Sequence, residues 1–326
     1  MTHPFKNKFS FPFNTLEIIK LYNDDPTLSW FKEHSEIINE VYIDPIIFGF
    51  SHNDMNGRSY NYDNNDVVFT ILRIIKSYDI KIYIVMNNIF EEDLDLECVN
   101  KLISYSDLVD ILVLPNEVYI EELKKHFYVK NTVIRDPKVD EVMRGDYDDY
   151  DMIYIHDSII QNLDIYTEMK KVKNLTLGVV VNFEMCYADC PHKRKHYKYI
   201  SRKQDVEVDF CKPTIMGKME RLLKISSIPP LYREYEKYID VIDCFKLQGR
   251  NPSTGNFGNA INIIEMIFNQ EKTLQFDTNR FPDYQFLNII PLRKMNAWTN
   301  TKLNCGGLCD SCDYCDKLVD EFNILP

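Results

Sequence analysis

Eight short runs of β-forming residues, separated by stretches of helical periodicity, restrict this chain to an α/β architecture of parallel strands. The runs are Phe9–Phe13, Val41–Asp44, Ile80–Met86, Val109–Leu114, Val129–Ile134, Met152–Ile155, Leu175–Val181 and Val241–Leu247. Most are near-continuous in Val, Ile, Leu and Tyr, as expected of strands covered on both faces. Amphipathic spacing over Thr15–Tyr22, Asn65–Tyr78, Glu117–His126 and Leu163–Lys171 puts helices between them. Eight β/α units within about 270 residues predict a TIM-type (β/α)8 barrel, with an open doubly wound sheet as the alternative. A last helix, Asn256–Asn269, carries Phe257, Ile261, Ile264, Ile267 and Phe268 as a core-packing stripe. The barrel then occupies residues 1–268. From about Glu271 onward periodicity is lost, and residues 269–326 form a Cys-rich C-terminal extension.

A barrel of this type carries its active site at the C-terminal ends of the strands. The residues that follow the runs include Asn14, Asn87, Asn88, Asn116, His156, Asn182, Gln248 and Arg250. Any one asparagine alone is best read as a turn former. As a ring they mark the mouth, which makes Asn14, Asn87, His156, Asn182 and Gln248 candidate substrate contacts.

Of the nine cysteines, all but Cys98 fall into two sets of four. Cys186 and Cys190 follow the seventh run directly, Cys211 lies further on, and Cys244 sits inside the eighth. Strand alternation places Cys244, Lys246 and Gln248 on one face and Phe245 and Leu247 on the other. With the apolar pair toward the helices, the polar three point into the barrel, and four thiols would converge at the ends of the last two strands. Four thiolates suit an iron–sulfur cluster or a zinc ion; four unrelated buried cysteines are the bland alternative.

The second set, Cys305, Cys309, Cys312 and Cys315, has the spacing C-x3-C-x2-C-x2-C, too dense for coincidence. Zinc sites usually pair two C-x2-C units across a longer loop, so this spacing favours a second 4Fe–4S cluster while leaving zinc open. Its first three members also match the triad of radical S-adenosylmethionine enzymes. A fourth cysteine, and a position after the barrel is complete, favour a fully ligated auxiliary cluster that relays electrons or staples the tail.

The formal net charge is −12, the opposite sign to proteins that hold long nucleic acids by phosphate neutralisation. One stretch, His192 to Lys203, is densely basic. It reads as a solvated loop, or as a lip that attracts an anionic substrate, a single nucleotide included. The first residues lack the apolar core of a signal peptide, and no apolar run reaches the roughly 18 residues of a membrane span. The expected location is the cytoplasm, where thiols stay reduced and clustered cysteines bind metal.

Around these cysteines the sequence resembles the collagenase-like, U-type peptidase family. The likeness is to its iron–sulfur members, which hydroxylate ubiquinone precursors and RNA bases without oxygen. It is carried by the N-x3-C-x3-C-P segment starting at Asn182, with basic residues and His196 after it. The single downstream Cys211 and the late strand FKLQGR complete it; that strand is similar to the family's lysine–x–glutamate–glycine–arginine signature. The resemblance extends loosely over residues 8–268. It departs at Gln248, where glutamate is expected, and in the closer spacing of the first cysteine pair. It implies a 4Fe–4S cluster held by Cys186, Cys190, Cys211 and Cys244 in a TIM-like barrel. It also implies prephenate as hydroxyl donor, a dicarboxylate whose charge Lys246 and Arg250 would receive, with His196 as a proton donor near the mouth. The partners implied are a small anionic substrate, an electron-donor protein and a related subunit. Three other functions stay open: a peptidase, for which neither H-E-x-x-H nor G-x-S-x-G is present; a radical S-adenosylmethionine enzyme; and a non-catalytic electron-transfer or assembly subunit.

Overall fold

The apolar runs become β1 (Phe9–Pro12), β2 (Ile38–Ile43), β3 (Lys81–Val85), β4 (Ile111–Val113), β5 (Tyr128–Lys130), β6 (Thr132–Val133), β7 (Met152–Ile155), β8 (Leu177–Val180) and β9 (Cys244–Lys246). The computed structural model describes residues 3–48, 65–86, 96–113, 120–130, 132–133, 139–146, 148, 150–155, 163–181, 238–250, 256–270, 291, 293–294, 297–298, 300–301, 305 and 312–322. Every strand pairing is parallel, in the order β5-β4-β3-β2-β1-β9-β8-β7-β6. The two outermost segments, β5 and β6, are consecutive in the chain with one residue between them. Successive Cα atoms lie 3.8 Å apart, so the two edges of the ladder come together and the sheet curls on itself. Counted as one broken strand, they reduce nine segments to eight. Sequential neighbours throughout, with the first strand beside the last, give a TIM-like order and not a doubly wound one.

Helices connect the strands: α1 (Thr15–Asp24), α2 (Ser29–His34), α3 (Asn65–Lys76), α4 (Leu96–Ile103), α5 (Ile120–Leu123), α6 (Val139–Arg144), α7 (Leu163–Lys173), α8 (Asn256–Phe268) and, in the tail, α9 (Tyr314–Phe322). Helix α3 shows the logic: Val68, Ile71, Leu72 and Ile75 form one buried stripe. Among the described residues no helix is long and apolar enough to cross a membrane.

Alternation along the strands splits their side chains between two cores. Phe9, Phe11, Ile82, Ile84, Leu112, Ile153, Leu177, Val179, Phe245 and Leu247 share one large cluster with the helices. The opposite phase forms two inner clusters, Tyr42, Tyr83, Val85, Ile111 and Val113 in one, Met152, Tyr154 and Cys244 in the other. The junction of chain start and chain end lies between β1 and β9. Phe245 N–H donates to Lys8 O at 2.8 Å and Leu247 N–H to Ser10 O at 2.9 Å, while the Phe9 and Phe245 rings stack at 5.4 Å. At the opposite end of the strands, carboxylates tie neighbouring strand starts together. Asp243 accepts Leu177 N–H and Lys170 Nζ; Asp110 accepts Ile82 N–H and Lys76 Nζ.

Several boundaries differ from the sequence reading. Strand β2 starts at Ile38, because Glu40 is buried in spite of its charge. Strand β9 starts only at Cys244: Val241 and Ile242 belong to a turn that bonds back to Tyr238 O. Of the helix expected over Glu117–His126, the described residues carry helix at Ile120–Leu123 and a turn after it, and the short helices α2, α4 and α6 carried too few turns for a visible period. In the tail, Trp298 and Leu318 are buried in the same cluster as the strands, with Tyr314, Cys315, Val319 and Phe322 packed against it.

Phe245 is fully buried at the β1–β9 junction. Phe245→Ala is expected to cost about 3–5 kcal/mol of unfolding free energy, read from the urea midpoint. Ile165→Ala on the exposed side of α7 should stay within about 0.5 kcal/mol of the parent protein.

Candidate functional site at the barrel mouth

The segment that leaves β9, Leu247–Arg250, is stitched to the ends of β1 and β2. Tyr42 OH donates to Leu247 O, and Asn14 Nδ2 donates to Gly249 O at 3.0 Å. The other end of the Asn14 amide accepts Glu17 N–H and caps α1, so one buried side chain fixes both elements. Gly249 has a φ of +148°, and a Cβ there would lie 2.9 Å from Phe257 Cα. Only glycine lets β9 pass this close to α8. Arg250 then pairs with Asp44, at side-chain exposures of 15% and 9%. A guanidinium has five N–H donors in a planar fork, so this contact orients the group as much as it neutralises it.

Inside the barrel, Lys246 is 7% exposed. Its Nζ lies 4.6 Å from the ring centroid of Tyr42, 5.3 Å from that of Tyr154 and 5.7 Å from that of Tyr83. Arg250 Cζ sits 5.1 Å from the Tyr42 centroid, which brings two cations to one ring. Tyr154 reaches across β8 to Cys244, its hydroxyl 3.7 Å from Sγ. Gly178 makes this possible, since a Cβ there would fall 2.6 Å from the Tyr154 ring. Burial pushes the phenols of Tyr83 and Tyr154 well above the ordinary range; Glu40 adds to the effect at Tyr83 and Cys244 at Tyr154. Both are therefore neutral hydroxyls at physiological pH. The interiors of such barrels are usually filled with branched apolar side chains. Here Ser10, Glu40, Lys246 and three tyrosines share the interior with Val85, Ile111 and Val113.

Of the residues singled out in the sequence, Asn14, Lys246, Gln248 and Arg250 are brought together at this mouth. Asn14 acts as a strut between β9 and α1, and Gln248 is half-buried. Cys244 is buried at the first residue of β9, beside Met152 and Tyr154. Asn87, His156, Asn182, His196, Cys186, Cys190, Cys211 and Cys309 lie outside the described residues. In the tail, Cys305 and Cys315 are half-buried and Cys312 is exposed. Among the described residues, no three His, Cys, Asp or Glu side chains are gathered as ligands for a metal ion. A sulfur on the barrel-facing side, next to a hydroxyl, is a suitable donor for a cluster; its three proposed companions all fall outside the described residues. Sequence reasoning missed Tyr42, Tyr83, Tyr154, Glu40 and Asp44. The available signal was their strand phase, the same as that of the inner apolar residues.

No family model and no curated protein matches the sequence. A solved structure described as the U32 peptidase Mk0906 is similar, with 13% sequence identity and a TM-score of 0.42, covering 75% of this chain and 94% of that one.

Two glycine substitutions separate packing at the site from backbone effects elsewhere. Gly178→Ala forces the Tyr154 ring away from Cys244 and is expected to cost about 1–3 kcal/mol. Gly258→Ala, in α8 with open space around the new methyl, should instead stabilise by about 0.5–1 kcal/mol. Urea denaturation of the two variants reads both signs.

Proposed function

We propose that this chain is an iron–sulfur enzyme acting on a small anionic substrate in the barrel mouth, in the manner of the oxygen-independent hydroxylases it resembles. The observation that carries the reading is Lys246, a cation enclosed by three tyrosine rings where such barrels are usually apolar. Buried close to Arg250 around the Tyr42 ring, it would add positive charge where a substrate carboxylate arrives. Arg250, aimed by Asp44, would receive a second acidic group, as prephenate has. Tyr83 and Tyr154, kept neutral by burial, can donate hydrogen bonds without competing for charge. Cys244 would hold a cluster together with Cys186, Cys190 and Cys211, and His196 would supply a proton. A 4Fe–4S cluster, when bound, provides one-electron redox chemistry. The tail cysteines would hold a second cluster or zinc, an electron-donor protein would serve the site, and the cytoplasm would keep the thiols reduced.

Anaerobic purification followed by iron, sulfide and zinc analysis and EPR tests the reading. About four iron and four sulfide per cluster are expected, with Cys244→Ser losing one cluster and Cys312→Ser affecting only the tail centre. Lys246→Ala should weaken prephenate binding at least about 30-fold. A stable protein without iron, or peptide hydrolysis that survives Cys244→Ser, would rule the reading out.

A further inference from the structure

Three neighbouring strands place one residue each in direct register: Tyr154 of β7, Gly178 of β8 and Cys244 of β9. Paired strands run about 4.8 Å apart, so the first and third are separated by two spacings, roughly 10 Å. Tyr154 covers that distance by lying across β8, and its hydroxyl ends 3.7 Å from Cys244 Sγ. Glycine clears the way, because a Cβ at position 178 would meet the Tyr154 ring at 2.6 Å. Both ends of the contact are buried, in the inner cluster with Met152. Phenylalanine would fill the same volume, so packing accounts for the ring and not for the hydroxyl. A buried hydroxyl is costly unless it is well bonded, and a neutral thiol is a weak acceptor. A thiolate is a strong one, since charge-assisted hydrogen bonds are about twice as strong as neutral ones.

We propose that Tyr154 sets the reduction potential of the barrel cluster by donating a hydrogen bond to the Cys244 thiolate. This rests on the functional reading above, in which Cys244 is a cluster ligand, and extends it to how the site is poised for electrons. A ligating thiolate carries no proton, so the phenol is the donor. Tyr154 keeps its proton throughout and acts through the sulfur, as a positioning residue. One-electron reduction adds negative charge that the ligand sulfurs share, which strengthens the hydrogen bond and favours the reduced form. The contact therefore raises the potential and eases reduction by the electron-donor protein.

The test uses the anaerobically prepared full chain and its Tyr154→Phe and Gly178→Ala variants. Midpoints are read by redox titration followed by EPR, the barrel signal being the one that Cys244→Ser abolishes. Tyr154→Phe keeps the ring and removes the hydroxyl. It is expected to lower the barrel midpoint by about 59 mV, a tenfold smaller equilibrium constant for one-electron reduction, with iron content unchanged. Gly178→Ala keeps the hydroxyl but displaces the ring, and should shift the midpoint in the same direction. An unchanged midpoint in Tyr154→Phe would mean that the contact is packing alone, and loss of iron from that variant would mean that the hydroxyl is needed to assemble the site; either result overturns the proposal. If the parent protein holds no cluster that depends on Cys244, the functional reading itself fails and the role of Tyr154 with it.

Discussion

The pairing of β1 with β9 is the constraint on which the rest of the structure depends. It joins residues more than 230 positions apart in sequence, so it is formed against a large loss of chain entropy. Two backbone hydrogen bonds and the stacked Phe9 and Phe245 rings hold it. Every polar group at the mouth is set by this junction. Lys246 enters the barrel beside Ser10 because Phe245 goes outward beside Phe9, and a slip of one residue would exchange the two faces.

The same pairing explains why the mouth is so heavily cross-linked. Leu247 N–H still bonds Ser10 O, and from there on Tyr42, Asn14 and Asp44 hold the segment. Each comes from a different part of the first two β/α units. The geometry around Lys246 and Arg250 is thus determined by the first fifty residues of the chain as much as by the last strand.

The architecture was legible in the sequence because parallel strands buried on both faces leave unbroken apolar runs, and eight such runs stood out. Helices of two turns or fewer, such as α2, left no period to read. The phase of β9 was also legible, since Cys244, Lys246 and Gln248 alternate with Phe245 and Leu247. The partners of Lys246 were not. Tyr42, Tyr83 and Tyr154 look like ordinary strand aromatics until register places them around one amine. Asn14 was visible as a residue at the mouth, but its double use as helix cap and strut depends on Gly249, which only the fold brings near. The tail offered a cysteine spacing and no periodicity, so the burial of Trp298 and Leu318 in the main core had no sequence signal.

In the ring of eight, the broken strand made of β5 and β6 stands four places from β1 and three from β9, on the far side from their junction. There β6 contributes only two residues to its pairing with β7. Cooperative units of least stability open first; the β1–β9 ladder is as short in register, yet it is backed by the Phe9–Phe245 stack and by the Asn14 and Tyr42 struts. Transient gaping should therefore begin on the far wall, admitting solvent from that side while the lysine and its tyrosine cage keep their positions.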